Sequence, residues 1–238
     1  MEFLGDLWSF FADGDTWTGS SGLLARLRQH VTTSGVAMVI ACAVALPIGI
    51  FLGHRRRGGT LAVNLSNVGR ALPSFALLVL AVQAFGLSSG SIYIALVALA
   101  VPPILTNAYV GVAGVDPDIR ESAVGMGLRG SEVLRQVELP LAVPLVMAGI
   151  RTSAITVVAT ATIAAVTGEQ NLGRYVVDGY AVRDNVRIVA GAIVVAMLSL
   201  LTERLLAAVQ ARLTPRGLSL RAREEGRPAG SLAEAATA

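Results

Sequence analysis

Residues 114–140 read GVDPDIRESAVGMGLRGSEVLRQVELP and form the only long polar stretch between the apolar blocks of the chain. Asp116 followed by Pro117 is typical of a helix start, because Asp caps free N–H groups and proline fits the first helical position. Apolar residues then recur at helical spacing: Ile119, Ala123 and Met126. The pattern predicts a short amphipathic helix that ends at glycines, with a second short helix before the next apolar block.

Outside this loop, apolar residues come in blocks rather than in alternation with polar ones. The chain has 238 residues, of which 54% are hydrophobic. A spanning helix needs about 20 predominantly apolar residues. We therefore predict an all-α polytopic membrane protein with about five transmembrane helices. The predicted spans cover roughly residues 31–53, 61–85, 91–113, 141–167 and 188–209.

These spans divide the chain into three parts. Residues 1–30 are predicted as an extracytoplasmic or interfacial segment, because tryptophans favour membrane interfaces. Residues 31–210 form the transmembrane domain, and residues 211–238 a disordered tail. Arginines follow the first and the fifth span, and cytoplasmic loops carry an excess of basic residues. The tail and the 114–140 loop are thus predicted to be cytoplasmic and the N-terminus outside.

Several kinds of chemistry are excluded by composition. All 19 basic residues are arginine, so the lysine that a P-loop nucleotide site requires is missing. The two histidines and one cysteine are too few for a His/Cys metal cluster. We expect no bound cofactor or metal and no enzymatic activity. The arginines adjoin apolar spans, which favours a lipid membrane rather than nucleic acid as their surroundings.

The short amphipathic helix in residues 114–140 leaves two interpretations open. Its apolar side can dock in a groove of a partner protein, which is a recurring mode of recognition. It can equally lie on the membrane surface or pack on its own bundle.

The same loop resembles the EAA motif of permeases in ABC importers. That motif reads E-A-A, three residues, glycine, nine residues and I-x-L-P. The matching positions are Glu121, Ser122, Ala123, Gly127, Val137, Leu139 and Pro140. Serine replaces alanine at 122 and valine replaces isoleucine at 137. The resemblance implies that this segment is the coupling helix, which seats in a cleft of an ATPase subunit.

The family implies further properties of the chain. Its fold would resemble the permease of the methionine importer, in a bacterial cytoplasmic membrane. Its partners would be two ABC ATPase subunits that use ATP-Mg, an extracytoplasmic solute-binding protein, and a second permease copy or a paralogue.

Other segments resemble permeases for osmoprotectants such as glycine betaine, choline and carnitine: residues 72–74, 101–111, 148–152 and 159–165. Residues 168–173, GEQNLG, depart from a more glycine-rich run in that family. One alternative is a permease for amino acids or another small organic solute. A second alternative is a secondary transporter or a membrane scaffold without an ATPase.

Polar residues inside the spans are the candidates for a translocation pathway: Thr152, Thr156, Thr160 and Asn107. The three threonines repeat every four residues and share one helix face. They either line the pathway or join packed helices, because Ser and Thr recur at membrane helix interfaces.

Overall fold

The computed structural model describes residues 2–60, 64, 67, 69, 71 and 73–215, and every regular element in them is helical. The helices are α1 (Glu2–Ala12), α2 (Gly14–Trp17), α3 (Leu23–His54), α4 (Ser74–Phe85), α5 (Ser89–Ala113), α6 (Pro117–Gly125), α7 (Gly130–Val133), α8 (Leu139–Ala161), α9 (Gly173–Val182) and α10 (Asn185–Leu213). A π-helical turn, Leu134–Glu138, joins α7 to α8, and a 3-10 turn, Thr162–Thr167, follows α8.

Among the described residues, four helical runs are long and apolar enough to cross a membrane: α3, α5, Gly130–Thr167 and α10. This confirms the predicted all-α membrane class. The shorter apolar helix α4 has 12 residues, about 18 Å at 1.5 Å per residue, against a hydrocarbon core of about 30 Å. It begins after Pro73, which lacks the N–H that a helix interior requires. Much of the predicted span 61–85 before Pro73 lies outside the described residues.

Two predicted boundaries differ from the structure. Helix α3 begins at Leu23, so the last eight residues of the predicted N-terminal segment 1–30 form the first two turns of this helix. The helical run that holds α8 begins at Gly130, well before the predicted start at 141. Both extensions contain polar residues, and the buried ones, Arg26, His30 and Glu138, have partners on other helices.

A stripe of small residues lets α3 pack closely against α5. Every fourth residue of α3 is small and buried: Ala37, Ala41, Ala45, Gly49 and Gly53. A Cβ added at Gly49 would lie 2.7 Å from the Leu105 carbonyl oxygen of α5. Close backbone approach of this kind is how membrane helices gain packing energy without a hydrophobic driving force.

The long helices define two sides of the molecule. The α6–α7 loop leaves the C-terminal end of α5 and enters the run that contains α8, so it lies on one side. The C-terminal end of α3 lies on the same side, because His54 contacts Glu138. Helix α9 follows the other end of α8, and Arg26 near the start of α3 contacts its Asp178. We call these the loop side and the α9 side.

Candidate functional site

The α6 segment folds as its local sequence predicts. The Asp116 carboxylate accepts a hydrogen bond from the Asp118 backbone N–H at 2.9 Å, and Pro117 occupies the first turn. The helix ends at Gly125, and Gly127 then adopts a φ of +92°. The N–H of Leu128 reaches back to the Ala123 carbonyl at 3.2 Å, which closes the helix end. Glycine at 127 is required by this left-handed conformation.

A buried carboxylate ties α6 to two transmembrane helices. Glu138 is 1% exposed and lies at the base of α8. Its Oε2 is 2.5 Å from Nδ1 of His54, the last residue of α3, and its Oε1 is 3.1 Å from Nε of Arg120 in α6. The His54 ring and the Glu138 carboxyl share one hydrogen bond, and the carboxyl also accepts from the Arg120 guanidinium. We call His54, Arg120 and Glu138 the loop-side joint.

Further contacts strengthen this attachment. The Arg56 guanidinium donates to the Val115 carbonyl at 2.8 Å, directly before the helix cap. The Arg120 guanidinium also donates to the His54 carbonyl at 3.4 Å. Arg56, just after α3, thus contacts the residue before the α6 cap, and Arg120 in the middle of α6 contacts the end of α3. Through Glu138, Arg120 is also joined to the start of the run that contains α8.

The predicted coupling residues divide by exposure. Glu121, Ser122 and Gly127 are exposed on the loop side, whereas Ala123 is 2% exposed and packs inward. The remaining three, Val137, Leu139 and Pro140, are half-buried around the start of α8. The first group is available to a partner, and the second belongs to the support of α6.

Apolar side chains on α6 face outward although this helix is no membrane span. Ile119 is 44% exposed, Val124 55% and Met126 77%. The predicted stripe of Ile119, Ala123 and Met126 is therefore split, with only Ala123 buried. Three large apolar side chains on or directly after this short helix are thus exposed on the loop side.

The connection from α7 to α8 is a widened helix rather than a loop. The Glu132 carboxylate accepts from the Arg129 backbone N–H at 2.6 Å at the start of α7. The π turn follows, with the Leu139 N–H bonded to the Leu134 carbonyl. Pro140 comes next and has no N–H to donate, which removes a regular helical bond at this place. The predicted second helix is therefore continuous with the fourth span.

The predicted pathway residues do not converge on one cavity. Thr152 is exposed, and the Thr156 hydroxyl donates to the Thr152 carbonyl at 2.8 Å. Thr160 faces a small cleft against α4 and α5. Asn107 donates to the Pro103 carbonyl at 2.8 Å and contacts α8 beside Gly149. Sequence reasoning missed Ser153, whose buried hydroxyl donates to the Ala100 carbonyl of α5 at 2.9 Å.

A groove of about 620 Å³ between α3, α8 and α10 is almost wholly apolar. Beyond it, Arg151 of α8 forms an ion pair with Glu203 of α10 and donates to Gln210 at 2.6 Å. Within the described residues, no group of three His, Cys, Asp or Glu side chains could hold a metal ion.

Sequence comparison identifies relatives over most of the chain. The glycine betaine/carnitine/choline transport system permease protein OpuCB of Bacillus subtilis is 35% identical over 201 residues, covering 84% of this chain and 93% of that protein. The carnitine transport permease protein OpuCB of Listeria monocytogenes is 36% identical over 204 residues, covering 86% and 93%.

Structural comparison gives the same fold at low sequence identity. A chain of the inward-facing MetNI methionine ABC transporter superposes with a TM-score of 0.69 and 20% identity, covering 81% of this chain and 97% of that one. An amino acid ABC transporter gives a TM-score of 0.64 at 19% identity, covering 80% and 93%. The predicted methionine-importer-permease fold is confirmed.

Residues 45–215 match the profile of the binding-protein-dependent transport system inner membrane component. The matched range contains α6 and the loop-side joint. The resemblance to permeases of ABC importers, drawn from the spacing around Glu121 and Gly127, is thereby confirmed. The chain belongs to the family of inner membrane components of binding-protein-dependent transport systems, and it is a translocation subunit.

Proposed function

We propose that this chain forms the translocation pathway for an osmoprotectant such as glycine betaine, choline or carnitine. The observation that carries the proposal is the set of relatives named for these solutes, which are 35–36% identical over most of the chain. The amino acid transporters share the fold at 19–20% identity, a level that supports architecture but not cargo.

The loop side faces the cytoplasm in this proposal, and α9 faces outward. Arg55, Arg56 and Arg57 follow α3 on the loop side, and an excess of arginine marks cytoplasmic loops. Two copies of the chain, or one copy and a paralogue, enclose the pathway. Two ABC ATPase subunits supply ATP-Mg chemistry, and an extracytoplasmic binding protein delivers the solute.

Helix α6 is the coupling helix. It presents Ile119, Val124 and Met126 outward, together with the charged Glu121, to a cleft of the ATPase. Closure of the ATPase dimer pushes α6, and the loop-side joint passes that movement to α3 and α8. The permease pair is the two-state element, because packed helices shift between discrete arrangements rather than deform continuously.

Uptake of labelled glycine betaine tests the cargo and the energy source together. The permease is expressed with its ATPase and binding protein in cells that lack other betaine importers. We expect saturable uptake that stops on ATP depletion and persists when a protonophore removes the proton gradient. Excess choline and carnitine should compete, and amino acids should not.

The variant Gly127→Pro is the coupling control for this assay. Proline cannot adopt the φ of +92° at this position, so the end of α6 must rearrange. Membrane insertion should be normal and uptake should be lost. Normal uptake by this variant would contradict the coupling role of α6. Uptake that follows the proton gradient instead of ATP would favour a secondary transporter.

A further inference from the structure

A second charged cluster lies on the α9 side, at the opposite end of α3 from the loop-side joint. Three guanidinium groups converge on one carboxylate, that of Asp178. The cluster consists of Arg26 from α3, Arg174, Tyr175 and Asp178 from α9, and Arg187 from α10. We call these five residues the outer cluster.

The cations of the outer cluster exceed its anions. Arg174 forms a close ion pair with Asp178 at 2.5 Å, whereas Arg26 and Arg187 lie 3.7 and 3.8 Å from the same carboxylate. Three positive charges against one negative charge leave an excess of two. Like charges held together at a protein surface attract an anion.

Two other carboxylates on the α9 side keep their negative charge, but within the described residues neither forms an ion pair with the outer cluster. The Asp184 carboxylate caps α10 by accepting from the Arg187 backbone N–H at 3.0 Å. Glu169 accepts from Gln29 at 2.7 Å and from Thr33 at 3.1 Å. Neither contact involves a guanidinium of the outer cluster.

Arg26 carries an unused donor in a buried position. It is 5% exposed, and its Nε donates to the Ser21 carbonyl at 2.9 Å. Its Nη1 is buried and has no hydrogen-bond partner, and the same holds for Nε of Arg174. The described part of the chain thus supplies fewer acceptors to the cluster than its guanidinium groups have donors. A ligand from outside would reach the exposed guanidinium atoms of Arg174 and Arg187, not these two enclosed ones.

The Tyr175 ring of the outer cluster leaves no place for a quaternary ammonium ligand. The guanidinium of Arg26 lies 4.9 Å from the centre of the Tyr175 ring, and that of Arg187 lies 5.6 Å from it. Phe10 of α1 packs edge-to-face on the same ring at 6.0 Å. The ring is thus occupied by cations of the chain itself, and a quaternary ammonium group finds no free aromatic face there.

We propose that the outer cluster binds an acidic side chain, Asp or Glu, of the solute-binding protein. The proposal rests on the proposed function, which places α9 outside. Arg174, Asp178 and Arg187 are 24–33% exposed in their side chains, so a docked carboxylate can reach them. Guanidinium groups bind carboxylates through paired hydrogen bonds, and charge complementarity of this kind guides and orients protein association.

Affinity of the solute-loaded binding protein for the permease–ATPase complex tests this docking site. The complex is placed in nanodiscs of zwitterionic lipid, and dissociation constants are measured at low and at high salt. Arg187→Gln removes one accessible guanidinium of the cluster. We expect about tenfold weaker binding at low salt and a shallower salt dependence, with unchanged basal ATPase activity.

Arg183→Gln is the matched control, because Arg183 is exposed in the same connection and lies outside the cluster. It should bind as the wild type does, and Arg187→Lys should retain most of the affinity because it keeps the charge. Equal affinities and salt slopes for the two glutamine variants, with wild-type uptake intact, would overturn this inference alone. If Arg187→Gln weakened binding only in nanodiscs of anionic lipid, the cluster would bind phosphate headgroups, and this inference would be overturned as well. Absence of ATP-dependent wild-type uptake would overturn the proposed function itself.

Discussion

A charged site lies at each end of α3. Each site has one carboxylate at its centre, but the number of arginines around that carboxylate differs. On the loop side, Glu138 is 2% exposed in its side chain and is shared by one histidine and one arginine. On the α9 side, Asp178 is 24% exposed and is shared by three arginines. The loop-side joint is closed and satisfied within the chain. The outer cluster has charge and hydrogen-bonding capacity left over.

This difference distinguishes the loop-side joint, whose contacts all lie within the chain, from the outer cluster, which can bind a partner. A buried carboxylate with all its partners in place fixes three helices relative to one another. A partly exposed site with surplus cations gains its missing anion from outside the chain. Four changes to the chain test the two descriptions, and they are given in order of decreasing effect.

Removing the charge of Glu138 should have the largest effect. In Glu138→Gln, Arg120 loses its carboxylate partner and the contact to His54 is altered, and breaking a buried pair costs about 3–5 kcal/mol. We expect about 3 kcal/mol here, because the Arg120 side chain is 30% exposed and water compensates in part. Thermal unfolding of the purified permease and ATP-dependent uptake should both show the loss.

Glu132→Gln is the control for that variant, because Glu132 lies in the same segment but only caps the start of α7. A cap is worth about 1 kcal/mol. If Glu138→Gln proved no more damaging than Glu132→Gln, the loop-side joint would not hold the helices together.

Overpacking between α3 and α5 should cause the second-largest loss of stability, because α3 carries both charged sites. In Gly49→Ala the new Cβ would lie 2.7 Å from the Leu105 carbonyl oxygen and 2.8 Å from the Ala108 Cβ. Overpacking of this kind costs about 1–3 kcal/mol. Gly35→Ala is the matched change, since nothing lies within 4 Å of its Cβ position. Equal melting temperatures for the two variants would show that α3 and α5 do not pack as described.

The end of α6 gives a conformational test that involves no lost contact. Gly125 and Gly127 both have open space around a Cβ, but only Gly127 has a positive φ, +92°. Alanine at 127 should cost about 1–2 kcal/mol of local strain. Alanine at 125 should be neutral or stabilising in helix α6. We expect weaker stimulation of transport by ATP in Gly127→Ala but not in Gly125→Ala. Similar uptake by both variants would show that transport does not require the left-handed conformation at Gly127.

Alkaline titration of Tyr175 should have the smallest effect. Burial raises the pKa of Tyr175 above its ordinary value of 10.0, while Arg26 and Arg187 oppose that rise. A raised pKa means that the folded state holds the phenol proton more tightly. The stability it contributes is complete below pH 10 and is lost as pH rises through the raised value.

Wild type and Tyr175→Phe should therefore unfold alike below pH 10, and the wild type should lose stability relative to the variant above it. Thermal unfolding of both proteins across that range is the measurement. A wild-type gain at high pH would mean that the arginines, rather than burial, dominate the surroundings of this ring.

Local signals in the sequence were enough for α6. The cap at Asp116 and the glycine end lie within a few residues of the helix they bound, and the structure places the helix at Pro117–Gly125. The start of α3 was predicted too late, because Arg26 and His30 read as polar flanks. Their partners are remote: Asp178 for Arg26, and the Val158 carbonyl for His30 at 2.9 Å.

Glu138 was not recognised as part of the site for the same reason. It occupies the variable position between Val137 and Leu139 of the motif, and only the fold brings His54 and Arg120 to it. An acidic residue among apolar ones at the start of a span was the available signal. Charged residues at such positions are costly unless paired, so each one predicts a partner elsewhere in the chain.

Cysteine cross-linking to the ATPase tests the central claim most directly. With Cys42, the single native cysteine, replaced by alanine, new cysteines are placed at Ser122 on α6 and at Arg183 on the α9 side. We predict a permease–ATPase cross-link from Ser122→Cys that changes in yield when ATP binds, and none from Arg183→Cys. A cross-link from Arg183→Cys alone, or none from Ser122→Cys in a transport-competent complex, would contradict the assignment of α6 as the coupling helix.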